Sequence, residues 1–257
     1  MRLFGCLVAA ASLCAIVQCF TGAPASAAEF SAAQKSEIGA VIKDYLIHNP
    51  EVLREAIDAL NEHDKQVEAQ ARQTVVADQS GPLFSSSFQE NIGNPKAGAT
   101  LVEFFDYNCH FCKGALPDLA RLLKDDPNLK LVLKDFPVLG PGSVEAANVA
   151  SAVRNQLQGD RFWQFHTRLL GGHGPIGKAE ALAVAKELGV DMDRLNKDMQ
   201  APNANGGILE VARLADALQI TGTPSFVIGQ EVVAGAVGYD QLKEKIDAVH
   251  KCGHAVC

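Results

Sequence analysis

The sequence lacks an excess of positive charge. It carries 23 Lys and Arg against 30 Asp and Glu, a formal charge of −7, and no basic cluster interrupts it. A nucleic-acid-binding chain usually shows a basic patch, so that class is excluded. Long apolar runs are also scarce. The one notable run, Leu3 to Phe20, falls short of the about 20 residues a membrane anchor needs. Met1-Arg2 precedes it with a positive charge, and Ala25-Ser26-Ala27-Ala28 follows with small residues. That order reads as a secretory signal peptide over 1–28, cleaved after Ala28. Ile16-Val17-Gln18 lacks the small residues a lipidation site at Cys19 wants, so a lipid anchor is not expected. Cysteine becomes sparse once the leader is gone. Of 7 Cys, Cys6, Cys14 and Cys19 leave, and Cys109, Cys112, Cys252 and Cys257 remain. An even number in an exported chain points to disulfide chemistry.

What is present begins with a helical arm over 29–78. Ile38, Val41, Ile42, Tyr45 and Leu46 recur at helical spacing. Asn49-Pro50-Glu51 restarts the chain with an N-cap residue, Pro at N1 and an acid at the positive helix end. Val52, Leu53, Ala56, Ile57 and Leu60 form a second stripe. Beyond Leu60 the segment is polar, so the arm has too little apolar surface to fold alone. It either packs on its own domain or meets copies of itself; self-association is the expectation.

The domain over 79–257 opens with turn signals at Gly81-Pro82 and Gly93-Asn94-Pro95, bracketing a weak strand near 83–88. Thr100 to Phe105 is an apolar run broken only by Glu103, as in a central buried strand. Phe111, Ala115, Leu116, Leu119, Leu122 and Leu123 then give a helical stripe, and Leu129 to Leu133 a second strand, parallel to the first. A helical stretch over about 143–218 breaks at Gly159-Asp160, Gly171 to Gly177, Gly189-Val190 and Ala201-Pro202. Ser225 to Ile228 and Glu231 to Ala234 read as a hairpin, and Leu242, Ile246 and Val249 mark a last helix. Without the helical stretch the order is β-α-β then β-β-α. The fold class is therefore α/β, a thioredoxin topology with an inserted helical subdomain and an N-terminal helical arm.

The chemistry sits at Cys109-His110-Phe111-Cys112. A thiolate attacks disulfides, and the amides and dipole at a helix start favour the Cys109 thiolate. Cys112, one turn on, can close or resolve a disulfide, and His110 can add charge or a hydrogen bond. An inert disulfide and half of a zinc site are the competing readings; the second set of zinc ligands is missing nearby. Glu103 is a carboxylate inside an apolar run, with Lys134 expected as its partner. It either exchanges the Cys112 proton or belongs to a structural ion pair. Thr223-Pro224 opens a strand as an ordinary turn or as a cis bond. A cis loop there would leave backbone groups free for an extended substrate.

The run from Val102 through Cys109-His110-Phe111-Cys112 to Lys113 resembles the active-site segment of DsbA-like thiol–disulfide oxidoreductases. Lys134-Asp135-Phe136-Pro137, Phe162-Trp163-Gln164-Phe165-His166, Thr221 to Phe226 and the helix proline Pro117 resemble further segments of that family, over about 82–250. The resemblance implies Cys109 as nucleophile, Cys112 as resolving thiol, Glu103 and Lys134 as a buried charged pair, and Pro224 as the cis-proline. With it come Thr223, Pro224 and Phe111 as substrate contacts and the periplasm as compartment. The His-Phe dipeptide departs from the Pro-His of the best-known oxidases, which leaves the direction of transfer open. Ile42 to Leu53 is similar to the N-terminal segment of ScsC-like proteins, implying oligomerisation and disulfide isomerase activity.

The partners so implied are unfolded or misfolded exported proteins with cysteines, a membrane redox partner and further copies of the chain. No cofactor is expected. An oxidase that donates disulfides and a copper-handling binding protein are the alternatives. His250, Cys252, His254 and Cys257 crowd the last eight residues. A Cys252–Cys257 disulfide is the favoured reading, ahead of a soft-metal site or a second redox pair.

Overall fold

The computed structural model describes residues 30–257. The expected signal peptide, with Cys6, Cys14 and Cys19, lies outside the described residues. Two compact units divide the chain, one ending at Ala59 and one running from Leu60 to Cys257.

In the first unit α1 spans Ala32–His48. Ser31 caps it in a reciprocal box, accepting from the Gln34 amide while the Gln34 side chain accepts from the Ser31 amide. α2 spans Pro50–Asp78 and starts at Pro50, whose missing N–H costs nothing at a first helical position. Gly39, Ile42, Leu46, Ile47, Pro50 and Leu53 line an apolar concavity between the two helices.

The second unit is built on a five-stranded sheet in the order β1-β3-β2-β4-β5. Its strands are β1 (Glu90–Gly93), β2 (Ala99–Phe105), β3 (Leu129–Asp135), β4 (Ser225–Ile228) and β5 (Glu231–Ala234). β2 and β3 run parallel through the crossover helix α4 (His110–Asp125), and the other pairs are antiparallel. The strand expected near 83–88 is displaced. Gln79 and Leu83 continue the helical bonding past α2, and α3 spans Ser80–Phe84 with Leu83 fully buried. The true edge strand, Glu90–Gly93, has one large apolar residue, Ile92, and alternates buried and exposed positions against β3.

The helical insert comprises α5 (Pro141–Val153), α6 (Asp160–Leu170), α7 (Lys178–Glu187), α8 (Met192–Met199) and α9 (Gly206–Ala217). Each break falls where the sequence predicts. Gly189 ends α7 at φ +74°, a conformation that side chains with a Cβ resist. The hairpin turns at Gly229, and α10 (Tyr239–Cys252) closes the chain with Leu242 and Ile246 buried.

Register assigns the two faces of the sheet. Leu101, Phe105, Leu131, Leu133, Phe226 and Ile228 face a core shared with α4, α10 and the insert. Val102, Phe104, Val132 and Val227 face a second core with Val76, Leu83, Val211 and Leu214. Glu103 pairs with Leu133 and Phe226, and therefore projects to the α4 side.

Candidate active site

The strand β2 ends in Asp106-Tyr107-Asn108, which turns the chain into α4. Asp106 makes the turn: its carboxylate accepts from the Asn108 amide at 2.7 Å, the Ser143 hydroxyl at 2.7 Å and the Leu139 amide at 2.9 Å. Asn108 clasps the backbone of Ile176, accepting from its amide at 2.7 Å and donating to its carbonyl at 2.8 Å, and donates to Ser143 at 3.0 Å. Lys113 donates to the Gly172 carbonyl at 2.9 Å. The cysteine loop is thus bolted to the helical insert. Asp and Asn two residues apart before the cysteine were the available signal for this turn.

Cys109 occupies the N-cap of α4. Its sulfur accepts from the Cys112 amide at 3.3 Å, and its thiol donates to the Thr223 carbonyl at 3.1 Å. The Thr223-Pro224 peptide is cis. Both cysteines are free thiols; Cys112 is fully buried, whereas His110 and Phe111 are exposed, Phe111 by 65%. Burial, with the Glu103 charge added, pushes the Cys112 thiol well up from its ordinary value. Pro117 lies inside α4.

Glu103 is fully buried and neither carboxylate oxygen has a hydrogen-bond partner among the described residues. Burial, reinforced by Asp135, pushes its carboxyl up to about 8. The expected Glu103–Lys134 pair does not form. Lys134 is registered with Phe104, one position on from Glu103, and so projects from the opposite face of the sheet. There its ammonium donates to the Pro82 carbonyl at 2.6 Å and to Gln89 at 2.8 Å, with Glu210 at 3.8 Å. Burial pulls it down to about 8. Its structural place is to hold α3 and α9 to the sheet.

Other groups near the site lie in family-like segments but receive no role from the sequence. His166 is fully buried, stacked on Trp163 and edge-on to Phe105, with neither ring nitrogen partnered among the described residues. Asp135 shares the Glu103 face, and the Tyr107 hydroxyl is buried without a partner among the described residues.

Residues 100–247 match the DSBA-like thioredoxin domain. The chain belongs to this family. Residues 34–66 of the DsbA-like chain match the copper resistance protein ScsC N-terminal domain. Proteus mirabilis ScsC in a transitional conformation is 31% identical, with 86% of this chain and 99% of that one covered at a TM-score of 0.64. A thioredoxin-like oxidoreductase from Silicibacter pomeroyi is 38% identical, over 67% of this chain and 98% of that one, at a TM-score of 0.63. A probable disulfide bond formation protein D of Bacillus anthracis is 25% identical, over 66% of this chain and 82% of its own length. The DsbA-like chain spans only 24% and 21% of the first curated relatives it matches, NhaA sodium/proton antiporters of two Salinispora species. Together these findings place it among DsbA-like and ScsC proteins.

The C-terminal cluster lies elsewhere. Cys252 and Cys257 are joined in a disulfide, His250 binds Asp126 at 2.8 Å and His254 binds Gln230 at 3.1 Å. Among the described residues no group of three or more His, Cys, Asp or Glu is placed to hold a metal ion. Asp126 caps the far end of the 16-residue α4, so this loop lies about 24 Å along the helix from Cys109.

Proposed function

We propose that the mature chain is an exported, self-associating disulfide isomerase of misfolded cysteine-containing proteins in the periplasm. Cys109 attacks the substrate disulfide, Cys112 resolves the mixed disulfide, and Glu103 takes the Cys112 proton. Thr223 and Pro224 offer the backbone edge along which an extended substrate lies, with Phe111 as an apolar contact and His110 beside it at the solvent side. A membrane redox partner keeps the pair reduced. One observation carries the reading: the Cys109 thiol is 3.1 Å from the Thr223 carbonyl, so the nucleophile and the free main-chain edge are side by side.

The arm supports self-association. Ile38, Val41, Ile42, Tyr45, Ile47, Leu53 and Ile57 are exposed on its helices, each by more than 40%. Such a surface needs an apolar partner. Light scattering and refolding of scrambled ribonuclease, on the mature chain and on its Ile42→Glu/Leu53→Glu variant, test the proposal. The variant is expected to be monomeric and to lose isomerase activity. A monomer as active as the parent would sink it.

A disulfide-donating oxidase is the second reading, favoured by the name of the Bacillus relative. A reduction potential near the about −270 mV of thioredoxin excludes it.

A further inference from the structure

A second carboxylate shares the face of the sheet on which Glu103 lies. The β2–β3 register pairs Glu103 with Leu133 and Phe105 with Asp135. With side chains alternating, Glu103 and Asp135 project to the same side, as diagonal neighbours roughly 8 Å apart at Cα. Lys134, between Leu133 and Asp135, points the other way and neutralises neither.

The groups around the pair are few and come from every adjoining element. Cys112 on α4 belongs to the core on that face and feels the Glu103 charge, and Asp135 adds to burial in raising the Glu103 carboxyl. Asp106 and Tyr107 follow β2; Asp106 is engaged by Ser143, Asn108 and Leu139, while the Tyr107 hydroxyl is buried and unpartnered among the described residues. His166 on α6 is buried with both ring nitrogens unpartnered among the described residues. Arg154, after α5, is the cation that acts on Asp135, and Glu90 on β1 acts in turn on Arg154. Its guanidinium is fixed by the Phe88 carbonyl and the Ser151 hydroxyl. The result is a graded series of charges: the cation beside Asp135, Asp135 beside Glu103, and Glu103 beside the thiol.

We propose that Asp135 is a positioning residue for the proton step at Cys112: held on the Glu103 face and biased by Arg154, its charge sets how firmly Glu103 holds the proton it takes. The inference rests on the reading of Glu103 as proton acceptor. The step balances as follows. Cys109 is joined to a substrate sulfur. The Cys112 thiol passes its proton to the Glu103 carboxylate, and the thiolate attacks the Cys109 sulfur. The Cys109–Cys112 bond forms, the bond to the substrate breaks, and the substrate leaves as a thiolate that takes up a proton. The two cysteines are oxidised and the substrate disulfide is reduced. A negative neighbour makes Glu103 a stronger base and delays its ionisation to higher pH.

The test is a stopped-flow reaction of the reduced mature chain with an aromatic disulfide whose thiolate product absorbs in the visible. The first release reports attack by Cys109, and the second reports resolution by Cys112. The rate of the second phase is followed against pH. In the parent chain it rises with Glu103 ionisation. Asp135→Asn is expected to move that rise about one unit to lower pH while the first phase keeps its profile. Asp135→Ser is expected to do the same, with folding of each variant checked by circular dichroism. Glu103→Gln is expected to remove the rise.

If Glu103→Gln keeps the parent profile, the proton-acceptor reading falls, and this inference with it. If Glu103→Gln flattens the profile but both Asp135 variants leave the rise in place, the inference alone is overturned. Should neither Asp135 variant fold, the carboxyl-carbon NMR titration of the parent chain decides. Two coupled steps shared by Glu103 and Asp135 support the proposal, and independent steps overturn it.

Discussion

Asn108 is hydrogen-bonded through both ends of its amide to the backbone of Ile176, 68 residues away in sequence. The residue immediately before Cys109 is therefore held by the helical insert rather than by the sheet. Asn108→Ala removes both of these bonds and the one to Ser143. A net cost of about 2–3 kcal/mol is expected in urea unfolding. Amide exchange at Ile176 should accelerate more than exchange in β4. Unchanged protection at Ile176 would show that the clasp does not hold the insert.

Glu103 makes stability depend on pH in a definite direction. Its carboxyl is raised to about 8 from an ordinary 4.5, so between these values the folded chain keeps a proton that the unfolded chain has released. Stability falls as pH rises through that window. Glu103→Gln removes the penalty. The variant is expected to be more stable than the parent by on the order of 3 kcal/mol at pH 7 relative to their difference at pH 4. Denaturant melts at the two pH values measure it. A difference that does not change with pH would contradict the assignment.

His166 acts on the acid side. Burial pushes its ring down to about 3 from 6.5. The unfolded chain takes up a proton below 6.5 while the folded chain does not, so stability is lost as pH falls from 6.5 toward 3. His166→Phe keeps an aromatic ring against Trp163 and Phe105 and removes the proton site. Going from pH 7 to pH 5, the variant should gain about 2 kcal/mol on the parent. Parallel melting curves at both pH values would sink this prediction.

Lys134 separates anchoring from chemistry. Lys134→Met leaves the Pro82 carbonyl and the Gln89 side chain without their donor, a loss of about 2–4 kcal/mol. Limited proteolysis should open first at residues 79–89. The pH profile of Cys112 resolution is expected to stay where it is, because Lys134 lies on the other face. A shifted profile would return Lys134 to the active site.

The sequence was most legible where one residue type has one physical use. Pro50 at a helix start, the glycine breaks of the insert, the Ser225 hairpin around Gly229-Gln230 and the Cys109 N-cap all announce themselves locally. β1 did not, because an edge strand reading Glu-Asn-Ile-Gly has almost no apolar pattern and is defined by its partner β3. The Glu103–Lys134 pairing expected from the sequence fails for a related reason. Two neighbouring parallel strands bring both charges close in the abstract, but a one-residue offset sends them to opposite faces. Asp135, adjacent to Lys134, was the charge to choose. His166 and the Asn108 clasp depend on contacts that no single segment contains.

The Cys252–Cys257 loop lies at the far end of α4, fixed there by His250 on Asp126 and by His254 on Gln230. That placement gives the domain a handle. A solid support or fusion partner joined to the chain there would sit at the end of α4 away from Cys109.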